Sequence, residues 1–372
     1  MSKKEKTLSA VFLLTFFLLL GLLVYLLYPL ILDILQIRPS SNPQLPSLKK
    51  IFESTSLAIT SLNTSSRLLY ESTYTKVNSE DLQLAKNLAE KSLQDLEALK
   101  EVIKNDNRFS DDVKKDLINK LETYERIAQQ AQNIPKYVNT LSSISNSFRE
   151  ALSKKDYSKL SQIKNDLKGL ETNIEQALEN LKNIDKNNLI SPDHLKDYER
   201  SIENLEKTLD EIKEMEKLAG ILSQYGDLYE KESNLRDLMR KLASTQDPQE
   251  FQRLLQELEQ KISELLKDNR VDQFYQKSQQ LNPAKAGSFA PEASSVKESS
   301  LSRSQLQQLK QLMEDLQNKL NSSLSPREAL QQTLSNSEKY GELKDYLNYL
   351  KSILKTVTGG SGAGSGGERP RD

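Results

Sequence analysis

The chain has no cysteine, no tryptophan and a single histidine, His194. Without cysteine there is no disulfide framework, no thiolate nucleophile and no cysteine-ligated zinc. Glycine is scarce where it would matter. Of 12, six lie in the last 14 residues and one in the apolar run near the start, leaving Gly169, Gly220, Gly226, Gly287 and Gly341 for the rest. Tight hairpins, phosphate-binding loops and dinucleotide folds need glycine at positive φ or at close backbone approach. An all-α body is therefore expected. Excess charge of one sign is also absent: 52 Lys+Arg face 53 Asp+Glu. That balance speaks against a nucleic-acid partner.

What is present begins with a run from Thr7 to Leu32 that contains no charged residue. Its 26 residues, at about 1.5 Å each, reach roughly 39 Å, enough to cross a bilayer core of about 30 Å. Lys3, Lys4 and Lys6 precede it, so the positive-inside bias puts residues 1–6 in the cytoplasm and the body outside. A cleaved secretory signal is the rival reading, but the apolar core is longer than the usual 7–15 or so residues and Arg38-Pro39 follows. Residues 33–47, with Pro39, Pro43 and Pro46, read as a stiff spacer.

Beyond the spacer, apolar residues recur at alternating steps of three and four. Leu195, Tyr198, Ile202, Leu205, Leu209 and Ile212 keep this rhythm, as do Leu160, Ile163, Leu167, Leu170 and Ile174. A repeat near 3.5 residues keeps one seam facing a neighbouring helix. Ser191-Pro192, Asp247-Pro248 and Ser325-Pro326 place a capping side chain before a proline, which marks helix starts. Helices are expected at 48–77, 79–105, 110–153, 156–187, 191–245, 248–268, 301–324 and 326–357, with Pro135 a kink candidate in the third. Gly220 to Gly226 is the candidate bend in the longest. Residues 48–281 are read as an extended bundle, 282–300 as a flexible linker, 301–358 as a C-terminal hairpin and 359–372 as a disordered Gly/Ser tail. A similarity between the segments around Asp156 and Asp247 suggests a repeated hairpin.

Candidate sites are few. His194 has no second histidine or Glu-x-x-His spacing beside it and reads as a solvated helix-start residue. The carboxylates, interleaved with lysines, read as surface charges. Tyr225 and Tyr229 stand four apart, and Tyr340, Tyr346 and Tyr349 cluster near the C-terminus. A tyrosine can bury its ring in a seam and leave its hydroxyl wet, or present both to a partner. These five are the candidate partner-binding residues. The helix from Leu48 carries Thr55, Ser66 and Thr73 at seam positions, which fits a loosely packed bundle helix or one that pairs with a second copy.

The fold expected is all-α, a single N-terminal transmembrane helix followed by an elongated bundle of long antiparallel coiled-coil-like helices. The function expected is a single-pass membrane-anchored scaffold or adaptor that positions protein partners away from the bilayer, self-association included. No catalytic or metal-binding residue, no cofactor and no small-molecule substrate is expected. The alternative is an extracytoplasmic sensor that signals through a separate protein.

Overall fold

The structure, a computed structural model, describes residues 48–322 and 324–359. The run at 7–32, the spacer at 33–47 and the tail from 360 lie outside the described residues. Within them no helix is long and apolar enough to cross a membrane. Five long helices come first: α1 (Leu48–Glu71), α2 (Ser79–Asn105), α3 (Asp111–Ser153), α4 (Leu160–Lys182) and α5 (Pro192–Ser244). Six shorter ones follow: α6 (Pro248–Lys267), α7 (Val271–Gln279), α8 (Ala290–Ser299), α9 (Arg303–Asn321), α10 (Pro326–Ser335) and α11 (Lys344–Gly359). No strand occurs among the described residues.

The starts follow from capping chemistry. Ser110, Ser191, Asp247 and Ser325 each accept a backbone N–H of the first turn, which would otherwise have no partner. At α2 the cap is Asn78, whose side chain accepts from the Glu80 N–H. The helix expected at 326–357 is interrupted instead. Tyr340 takes φ −117° and ψ 54°, and a 3-10 segment at Ser337–Leu343 separates α10 from α11.

Helices α1 to α4 pack with the first half of α5 as one bundle. The seam residues Leu160, Ile163, Leu167, Leu170, Tyr198, Leu205 and Ile212 are buried in it. The hydroxyl-rich face of α1 also lies inside, because small side chains let the neighbouring backbones come close. Ser61 Oγ donates to the Ala85 carbonyl at 2.8 Å, and Ser92 Oγ of α2 donates to the Ser54 carbonyl at 3.0 Å. Pro135 sits within a continuous α3 and does not split it. Proline has no N–H to give the Ala131 carbonyl, and Ser65 Oγ of α1 donates to that oxygen at 3.3 Å.

The second half of α5 carries a different set of helices. α6 returns along it, α9 packs on α6, and α11 packs on α5. The expected hairpin at the C-terminus thus belongs to a second group built on α5 and α6. The longest helix bends where its glycines suggested: Tyr225 leaves helical geometry at φ −129°, ψ 17°. A methyl group on Gly226 would overlap the ring of Tyr157, so this glycine permits a close approach.

The segment 282–300, read as a flexible linker, is folded. Two 3-10 turns, Pro283–Lys285 and Gly287–Phe289, lead into α8, and Ala286, Phe289, Ala293 and Val296 are all buried. Burying a large apolar side chain of this kind gives about 1.5–3 kcal/mol on transfer scales. Together with α7, which the sequence reading did not anticipate, this segment forms a strap over α5 beside the bend.

Candidate functional site

The five tyrosines do not form one stripe. Tyr225 is buried at the bend. Its hydroxyl donates to Gln273 Oε1 at 3.3 Å, its ring leans on Phe274 with centroids 5.8 Å apart, and the Lys277 ammonium lies 5.1 Å from its face. Tyr340 is buried too, its hydroxyl donating to the Asp315 carboxylate, which also receives Lys339 at 2.7 Å. Burial and that carboxylate raise the Tyr340 phenol above its ordinary pKa. These two rings serve internal packing. Tyr229 is half-buried, with its hydroxyl 3.0 Å from Ser295 Oγ of the strap, and it lines a cavity of about 230 Å³ with Tyr157 and Glu292. Tyr346 is half-buried in a larger groove of about 670 Å³, together with Arg236, Tyr275 and Lys297. The side chain of Tyr349 lies outside the described residues.

Three glutamates of α5 are buried, against the expectation that carboxylates stay on the surface. Glu214 Oε2 accepts the Asn282 N–H at 3.0 Å and its other oxygen receives Lys217 at 2.6 Å. Glu232 Oε2 accepts the Leu301 N–H at 3.0 Å, while its Oε1 has no partner. The two carboxylates hold Asn282 and Leu301, at either end of the 282–300 segment. Between the ends, Gly287 adopts φ +55° against Glu211, where an added Cβ would stand 2.6 Å from the carboxyl carbon. Burial raises the pKa of Glu211, offset in part by the hydroxyls of Thr73 and Tyr74, and pushes that of Glu232 well up. A local signal for Glu232 existed: it occupies the seam position between Leu228 and Leu235.

On another side of the bend, a groove of about 440 Å³ is lined by Lys164, Lys213, Lys217 and Lys277 with Glu171 and Glu216. Burial and the neighbouring Glu216 raise the pKa of Glu171. Most of these lysines are engaged: Lys213 with Glu175 at 2.7 Å, Lys217 with Glu214, and Lys277 with Gln224 at 2.7 Å.

His194 is buried rather than solvated. α1, α3 and α5 converge on it: Ser56 Oγ lies 3.0 Å from Nε2, the Tyr124 hydroxyl 2.7 Å from Nδ1, and Phe52 stacks on the ring at 5.4 Å. A serine, a histidine and a third hydrogen-bonding group in this order invite comparison with a nucleophilic triad. In the best-satisfied arrangement the proton count runs the other way. With the Tyr124 oxygen accepting the Ile190 N–H at 2.8 Å, the arrangement that satisfies the buried phenol sends its proton to Nδ1, 2.7 Å away. The network thus assigns the remaining imidazole proton to Nε2, which donates to Ser56 Oγ. Ser56 faces a donor and has no base in this state. Desolvation lowers the imidazole pKa despite Asp197 and Asp193 nearby.

No group of three or more His, Asp or Glu that could hold a metal occurs among the described residues. What these elements offer is a set of open grooves and a carboxylate-tied strap. No family model, curated protein or solved structure matches the chain.

Proposed function

We propose that the chain is a single-pass membrane-anchored scaffold that holds protein partners at a set distance from the bilayer. One observation carries this reading: a charge-free run long enough to span, Thr7–Leu32, precedes a Pro-rich spacer and then a helical body. The polar faces of that body alternate acid and base, as in Lys207 with Glu203 at 2.7 Å and Lys120 with Asp116 at 2.7 Å, which suits a solvated post. The candidate partner contacts that remain at least partly accessible are Tyr229 and Tyr346. Flotation of native membranes after alkaline extraction tests the anchor, and in-cell crosslinking with mass spectrometry tests the tether. The expected result is a chain that floats with lipid and crosslinks reproducibly to another protein; a chain left in the soluble fraction, or one that crosslinks to no protein, overturns the reading.

A second reading, a helical sensor working through a separate protein, rests on the 440 Å³ groove that adjoins the bend at Tyr225. A small molecule filling it would bias the bend. A ligand that raises the melting temperature by several degrees, with loss of the effect on filling the groove by Gly220→Phe, is the result expected of a sensor.

A further inference from the structure

The cavity of about 230 Å³ beside the bend is built from three parts of the chain that lie far apart in sequence. Leu152 and Tyr157 come from the connection between α3 and α4, Leu222 and Tyr229 from α5, and Glu292 and Val296 from α8. At about 30 Å³ for each water, it has room for a group of several heavy atoms.

Most of the wall is apolar or aromatic. Leu222 and Val296 are buried and Leu152 is half-buried, and the two tyrosines add their rings. Both rings are held in place. Gly226 lets the Tyr157 ring seat against α5, and the Tyr229 hydroxyl lies 3.0 Å from Ser295 Oγ of the strap. Burial raises the Tyr157 pKa, helped by the hydrogen bond its hydroxyl gives Glu230, so the phenol stays neutral.

The charges along this wall do not balance. Lys155 and Glu230 pair at 3.3 Å on the solvent side, with 62% and 30% of their side chains exposed, and cancel one another. Glu292 forms no ion pair among the described residues, and its Oε2 is shielded from solvent without a donor. Its place in the first turn of α8 suits the helix dipole but gives that oxygen no hydrogen bond. A carboxylate so poorly solvated draws a cation across an apolar cavity more strongly than one in water does. A metal ion would need several oxygen ligands, which rings and aliphatic side chains do not supply. A quaternary ammonium ion spreads its charge over methyl groups, needs no acceptor and is attracted by aromatic faces.

We propose that this cavity binds a quaternary ammonium ion, its methyl groups against Tyr157, Tyr229 and the aliphatic side chains and its charge opposite Glu292. The test titrates the full chain in dodecyl maltoside, whose headgroup carries no ammonium, with choline chloride by isothermal calorimetry at constant ionic strength. The neutral carbon isostere, dimethylbutanol, is titrated in parallel. Choline is expected to saturate one site and to bind at least about tenfold more tightly than the isostere. Glu292→Gln, which keeps the shape of the side chain, should weaken choline about tenfold and leave the isostere unchanged. Tyr229→Phe should retain choline and Tyr229→Leu should lose it, with melting curves showing that each variant is folded. Equal affinity for choline and the isostere overturns the proposal, and that comparison is made on the parent chain, so it stands even where a variant fails to fold. A parent chain that choline does not saturate, or choline binding that a folded Glu292→Gln leaves unchanged, overturns it as well. Displacement of choline by equimolar sodium marks a metal-cation site and has the same force.

Discussion

Because His194 is the chain's single imidazole, its two ring nitrogens can be observed by NMR without assignment. The hydrogen-bond network predicts a neutral ring protonated at Nε2, and a ring protonated at Nδ1 would contradict it. Tyr124→Phe removes both the donor to Nδ1 and the acceptor for the Ile190 N–H. Two buried polar groups lose partners, and chemical denaturation is expected to show a loss of roughly 1–3 kcal/mol. Two of the buried acid–base groups, His194 and Glu232, act in opposite directions with pH. The His194 pKa is lowered on folding, so the unfolded chain takes up more protons as pH falls below about 6.5, and stability is lost in that direction. The Glu232 pKa is raised on folding, so its contribution is complete below about 4.3 and is lost as pH rises through the folded value. Glu232→Gln keeps an acceptor for Leu301 and removes the ionisation. The variant should match the parent near pH 4 and exceed it increasingly toward neutral pH, by about 1–2 kcal/mol, in denaturant titrations at each pH.

At the scale of elements, two glycines in helices give opposite expectations. Gly169 on α4 has nothing within 4 Å of an added Cβ, so Gly169→Ala should stabilise by about 0.5–1 kcal/mol. Gly226 faces the Tyr157 ring, so Gly226→Ala should destabilise by about 1–3 kcal/mol, and Tyr157→Ala in the same chain should relieve the clash; melting curves of the three variants decide it. The long helices were legible because seam spacing and caps are local signals: Ser191, Asp247 and the 195–212 rhythm each act within one helix. The strap was hidden because Pro283, Gly287 and Pro291 read as breaks. Yet Ala286, Phe289, Ala293 and Val296 recur at steps of three, four and three, the mark of a buried helical face. The burial of His194, Glu211 and Glu214 was not legible. It depends on Ser56, Tyr124 and the strap, which lie some 70 to 140 residues away in sequence, and no local pattern reports such contacts.

For the whole molecule, the C-terminal helices are the informative part. Leu306, Leu309, Leu312, Met313 and Leu316 of α9 are buried, and the neighbour they share most with is α6. Residues 301–359 therefore share part of their core with α5 and α6 as well as packing on one another. As an isolated fragment they should lose helix by circular dichroism relative to the full chain, and adding residues 192–300 should restore it; a fragment with undiminished helix and a cooperative melt would show that the hairpin needs neither α5 nor α6. The same reasoning extends to α5. It supplies the wall against which α1 and α4 close in its first half and α6 and α11 close in its second. Neither half has a complete interior without it. Heat should accordingly undo both in one step, so a lesion anywhere along this shared spine weakens the molecule from end to end.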